Sequence, residues 1–215
     1  MSLASLKRRA ELLASLRGFF ASRQVLEVDV PVMGSRTVTD PYIQAISSQC
    51  ESRNYFLQTS PEYFMKRLLA GGAPSMYYLG KAFRRDECGR NHNPEFTMLE
   101  WYRLDFDDQQ LMTELTELLT HLDADAQVSK VSYASLFYQH FGCDPHRAST
   151  AQLAELAQQG IDVSLQGLDL EDRNLWLDLL FSHLIEPTLQ APTIVFDYPA
   201  SQCALAKVAH DQQGR

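Results

Sequence analysis

The chain has 215 residues, of which 45% are hydrophobic and 21% charged, ordinary values for a globular protein with its own core. A net charge of −8 argues against a general nucleic-acid binder, since no global basic field draws phosphate in. No apolar run reaches membrane-spanning length, and the cysteines at 50, 88, 143 and 203 form no C-x-x-C pair, so free thiols in a reducing cytoplasm are expected.

Residues 5–23 predict a helix, because Leu6, Ala10, Leu13, Leu16 and Phe20 recur at helical spacing as one apolar stripe. Residues 25–30 alternate as a strand until Pro31 stops them. A polar loop over 34–41 precedes two predicted strands, 43–47 and 55–58. Thr59-Ser60-Pro61-Glu62 then opens a helix: Ser60 suits the cap, Pro61 the first helical position, and Glu62 the dipole. Gly71-Gly72-Ala73-Pro74 ends that helix.

Residues 76–83 read as a buried strand, and 95–102 as a second strand returning from a charged loop. The loop holds Arg84, Arg85, Asp86, Glu87, Arg90, His92 and Asn93. In the returning strand, Phe96, Met98 and the Trp101 ring are expected on a core or base-stacking surface, with Glu95, Glu100 and Tyr102 as polar ends. Guanidinium groups beside carboxylates and a ring suit a nucleotide, because Arg grips phosphate bidentately and a ring stacks on a base.

Asp107 caps a further helix with Leu111, Leu115, Leu118 and Leu122 as its buried stripe. Residues 123–130 form a polar connection, helices follow at 133–141, 150–159 and 171–185, and 193–196 is a short strand. His121, His140, His146 and His183 lack metal-ligand spacing and read as surface or satisfied core residues.

The run FRRDECGRNHNPEFTMLEWY, residues 83–102, closely resembles motif 2 of the class II aminoacyl-tRNA synthetases, in their lysyl branch. The helix, strand and proline of 5–31 resemble motif 1, the dimer interface of that superfamily. The resemblance implies an α+β fold with a mostly antiparallel sheet flanked by helices, one catalytic domain over 1–215, and a homodimer through 5–31. It further implies ATP and Mg²⁺, with no metal ligand inside this chain. Arg84 would hold the α-phosphate as the catalytic residue, with Arg85 beside it. Asp86 would contact adenine, His92 the distal phosphates, Asn93 the nucleotide, and Phe96 the adenine face. Ser60, Pro61 and Glu62 would line the amino-acid pocket, Glu62 meeting one substrate amine while Glu100 and Tyr102 meet the other.

Two departures qualify the resemblance. Asp86 stands where the family usually has Glu, one methylene longer. Motif 3, with its second catalytic arginine, is not found by Arg215, so a fragment unable to complete adenylation is expected. With the motif 1 helix near Met1, no anticodon-binding domain is expected and tRNA is an unfavoured partner. A lysyl-type core of this kind resembles the elongation factor P–(R)-β-lysine ligases, which activate (R)-β-lysine and transfer it to a lysine of elongation factor P. The alternatives are a lysyl-type tRNA synthetase core or related amino-acid ligase, and a non-catalytic dimerising paralogue.

Overall fold

A computed structural model describes residues 2–40, 43–85, 88–90, 92–162 and 164–209. The chain divides into two compact units, Met1–Leu122 and Asp123–Arg215.

The first unit begins with α1, Leu3–Ser22, whose opening is capped by the Ser2 side chain accepting from the Ser5 N–H. Leu16, Phe19 and Phe20 are buried, but Leu3, Leu6 and Leu12 are exposed. The expected stripe therefore packs only in its second half. Gln24, at a φ of 55°, reverses the chain into β1, Leu26–Glu27, parallel to a later strand. The predicted strand over 25–30 shrinks to those two residues, with Val25 and Val30 buried on either side.

A second sheet has the order β2–β4–β3, from β2 Met33–Gly34, β3 Ser47–Cys50 and β4 Arg53–Leu57, all antiparallel. The strand predicted at 43–47 lies later, at β3. All four β3 residues are exposed, so no apolar alternation marks it in the sequence. α2, Glu62–Ala70, follows, and Gly72 turns with a φ of 89°.

β5, Met76–Phe83, and β6, Glu95–Tyr102, form the predicted hairpin with the predicted bounds, in register from Met76↔Tyr102 to Phe83↔Glu95. β1 completes this sheet beside β5. The sheet has two packed faces, because side chains alternate along a strand. On one face, Leu79, Leu99 and Trp101 meet Leu16, Phe20 and Tyr77 together with Leu118 of α3, Asp108–Leu122. On the other, Met76, Tyr78 and Tyr102 meet Val30 and Met65 of α2.

α3 starts with a reciprocal capping box: Asp107 Oδ1 accepts from the Gln110 N–H at 2.7 Å, and Gln110 Oε1 accepts from the Asp107 N–H at 2.9 Å. Its buried residues are Met112, Glu114 and Leu118, whereas Leu111 and Leu122 are exposed. Of the predicted leucine stripe only Leu118 is fully buried, with Met112 and Glu114 beside it.

The second unit consists of β7, Ser129–Ser132; α4, Tyr133–Phe141; α5, Thr150–Gly160; α6, Arg173–Leu180; and β8, Thr193–Phe196, parallel to β7. β7 begins within the stretch read as a polar connection, 123–130, and runs two residues past it. Gly142, at a φ of 65°, ends α4 in the left-handed region. Tyr133, Phe137, Leu153, Trp176, Leu177 and Leu180 form its core. α6 widens into a π turn over Phe181–Ile185, which is why the sequence reads as one helix to 185. All four cysteines are free thiols. Among the described residues no helix is long and apolar enough to cross a membrane.

Candidate active site

The β5–β6 hairpin sets the site by parity. Glu100 and Tyr102 lie on the α2 face with Phe96 and Met98, while Glu95 and Trp101 point to the opposite face. The expectation that Trp101 shares a surface with Phe96 is therefore corrected: an odd separation on a strand puts two side chains on opposite faces. Glu95 is likewise outside the site, paired with Lys81 at 2.5 Å on exposed surface.

The start of α2 meets Glu100. Ser60 Oγ donates to Glu100 Oε2 at 2.8 Å, and the Tyr102 hydroxyl donates to Oε1 at 2.9 Å. Each carboxylate oxygen thus receives one protein hydrogen bond and keeps a lone pair for a further donor. Burial, then the charge of and hydrogen bond to Glu100, then Glu62, hold the Tyr102 phenol well above its ordinary range, so it stays protonated and donating. Ser60 also accepts from the Glu62 N–H at 3.1 Å. The cap position itself falls to buried Pro61, one residue later than predicted. Glu62 Oε1 lies 2.8 Å from the Lys66 ammonium on the next turn. The structure therefore gathers Ser60, Pro61, Glu62, Glu100 and Tyr102 in one place.

At the loop end of the hairpin, the Arg84 N–H donates to the Pro94 carbonyl at 2.9 Å, extending the ladder past Phe83. Its guanidinium sits 5.2 Å from the Phe96 ring centroid, and its Nε donates to the Thr59 carbonyl at 3.4 Å. Thr59 precedes Ser60, so one short segment touches both the arginine and the Glu100 cluster. A cationic fork held beside a ring suits a phosphate and a base. Arg85 is exposed, with its N–H on the Gln44 carbonyl at 2.9 Å. His92 and Asn93 are exposed on the loop, where His92 and Gly89 exchange backbone hydrogen bonds. Asp86 and Glu87 lie outside the described residues. Nor, among the described residues, do three or more His, Cys, Asp or Glu side chains gather to hold a metal ion.

Gln58, Tyr78 and Gly80 belong to this face and escaped sequence reading. The Gln58 amide nitrogen donates to the Tyr78 hydroxyl at 2.8 Å and to the Lys81 carbonyl at 2.9 Å, and Tyr78 donates to the same carbonyl at 2.9 Å. The Tyr78 ring lies along β5 over Gly80, where an added Cβ would clash with its hydroxyl. A glycine inside a strand was the available signal, since it marks a close approach. A cavity of about 400 Å³ opens on the α1 and α3 face instead, lined by Arg23, Arg103 and Glu114 among others and by none of the predicted residues.

A family model described as tRNA synthetases class II (D, K and N) matches residues 2–214. The chain belongs to this family. It is 43% identical over 215 residues to the elongation factor P–(R)-β-lysine ligase of Vibrio vulnificus (strain YJ016), covering 96% of this chain and 66% of that protein. It is 43% identical over 220 residues to the protein of the same name from Photorhabdus laumondii subsp. laumondii, covering 98% and 67%. The chain thus spans about two thirds of the length of these curated relatives. Its mixed helix-and-sheet fold is a class II synthetase domain, and the hairpin with its arginine loop occupies the place that motif 2 holds in the sequence.

Proposed function

We propose that this protein is an ATP-dependent ligase that activates (R)-β-lysine, or lysine, as an adenylate and transfers the acyl group to a lysine side chain of elongation factor P. The carrying observation is Glu100, a carboxylate oriented by Ser60 and Tyr102 on one sheet face, with Glu62 beside it and Arg84 at the loop end. The names of the relatives supply the substrates of this reading, and the family match from 2 to 214 supports treating both units as one catalytic domain.

A diamino acid carries two cationic ends, so it needs acids at two points. Glu100 offers one with free lone pairs. Glu62 offers the other, and the Lys66 ammonium that it holds at the half-buried start of α2 can give way to a substrate ammonium of the same charge. In the reaction, the substrate carboxylate bonds to the α-phosphorus of ATP and pyrophosphate leaves. The amine of the acceptor lysine then forms an amide as AMP departs and the amine proton goes to solvent. Arg84 neutralises charge that grows on the phosphorus oxygens, so no protein nucleophile is required. Phe96 provides a ring for the adenine. Arg85, Asp86, His92 and Asn93 are assigned to the nucleotide by their positions in the motif, and Mg²⁺ to the phosphates. In this reading the enzyme is cytoplasmic and tRNA is not its acceptor.

The test uses the full-length gene product, with pyrophosphate exchange driven by (R)-β-lysine or lysine and mass spectrometry of elongation factor P. Arg84→Ala lowers exchange by about 100- to 1000-fold, as expected for losing one donor to a reacting centre. Exchange at the wild-type rate in that variant, or an unmodified elongation factor P, rejects the reading.

A further inference from the structure

The far side of β6 carries a buried carboxylate that the reaction above does not use. Glu114 of α3 is 4% exposed. Its Oε2 accepts from the Trp101 indole N–H at 3.1 Å, and its Oε1 lies 3.3 Å from Arg103 Nε, an ion pair off hydrogen-bond alignment. Arg23, the residue that ends α1, brings a second guanidinium to the same oxygen at 3.9 Å. Trp101 and Arg103 are the neighbours of Tyr102 on either side, and Trp101 also follows Glu100 directly.

We infer that Glu114 is a positioning residue for the amine subsite: from behind the sheet it holds the two residues that flank Tyr102, and so sets the direction of Glu100 and Tyr102 on the front. This rests on the ligase reading of the front face. The chemistry favours it over a role in stability alone. A buried ion pair is weak as a source of net stability, because desolvation opposes its attraction, and apolar residues in place of the whole group of Glu114, Arg103 and Arg23 would pack here as well. What a carboxylate adds is two oxygens, one accepting from Trp101 near the end of β6 and the other facing the Arg103 guanidinium just past it. A carboxylate subsite is sensitive to such placement, since about 1 Å of displacement can cost about 100-fold in rate.

The experiment measures pyrophosphate exchange in the full-length protein for wild type, Glu114→Gln and Trp101→Phe, with separate titrations of amino acid and ATP. Glu114→Gln keeps an oxygen for Trp101 but removes the charge facing two arginines. It is expected to raise the amino-acid KM about 10-fold or more while the ATP KM stays within about two-fold. Trp101→Phe removes one donor and leaves a smaller ring in the same cluster, and is expected to raise the amino-acid KM by a smaller factor; it decides the matter if Glu114→Gln does not fold. Equal rises in both KM values, or unchanged KM values with a lowered melting temperature, overturn the inference and leave Glu114 a structural residue. A wild-type enzyme inert towards every diamino acid fails earlier, overturning the ligase reading and this inference with it.

Discussion

Glu100 is the side chain on which the site turns. Two hydroxyl donors, Ser60 and Tyr102, point at its two oxygens, so any group replacing it must accept at both. An amide cannot: its nitrogen presents hydrogen to a donor. Glu100→Gln is therefore expected to lose a charge-assisted contact to the substrate amine, worth about 1.5–3 kcal/mol, and to raise the amino-acid KM about 10- to 100-fold. Steady-state exchange kinetics check this, and an unchanged amino-acid KM with a raised ATP KM would move Glu100 to the nucleotide half. Its placement beside Tyr102 was legible in the sequence, because an acid on a strand two residues before a tyrosine shares a face with it. The partner Ser60 was read correctly as near the helix start but as its cap, whereas Pro61 takes the cap and the hydroxyl serves Glu100.

The β5–β6 hairpin is the element that joins the two halves of the site. Its bounds were readable because both strands are bounded by charged or turn-forming residues and carry long apolar runs. Its weakest point is Gly80, over which the Tyr78 ring lies. Gly80→Ala forces Tyr78 off this position and breaks its hydrogen bonds with Gln58 and Lys81. The expected cost is about 1–3 kcal/mol, as for overpacking elsewhere. Urea denaturation reads it, and a variant as stable as wild type would mean the strand can shift without loss. The short strands fared worse in sequence reading. β3 and β7 are polar, four residues each, and exist because a neighbouring strand offers its backbone, not because their side chains demand a sheet.

On the first unit several large apolar side chains are left uncovered: Leu3, Leu6 and Leu12 on α1, with Leu26, Val32 and Met33 after it in the chain, are all at least 41% exposed. Side chains of this type rarely cluster in water without a partner. Leu6, Leu12 and Leu26 fall within residues 5–31, the stretch that resembles motif 1, which supports the homodimer that the resemblance implies. The full-length protein is expected to sediment as a dimer, and Leu6→Glu to shift it towards monomer by burying a charge in that contact. A wild-type monomer in sedimentation velocity would remove the proposal. The chain alone specified its family and its central hairpin, because those are local patterns of residue type and spacing. Which residues share a face, and which turn to the far side with Glu114, was settled by the folded chain. Strand parity and helix rotation bring together side chains that sit far apart in the sequence, and no local pattern records where a distant element such as α3 will place a carboxylate.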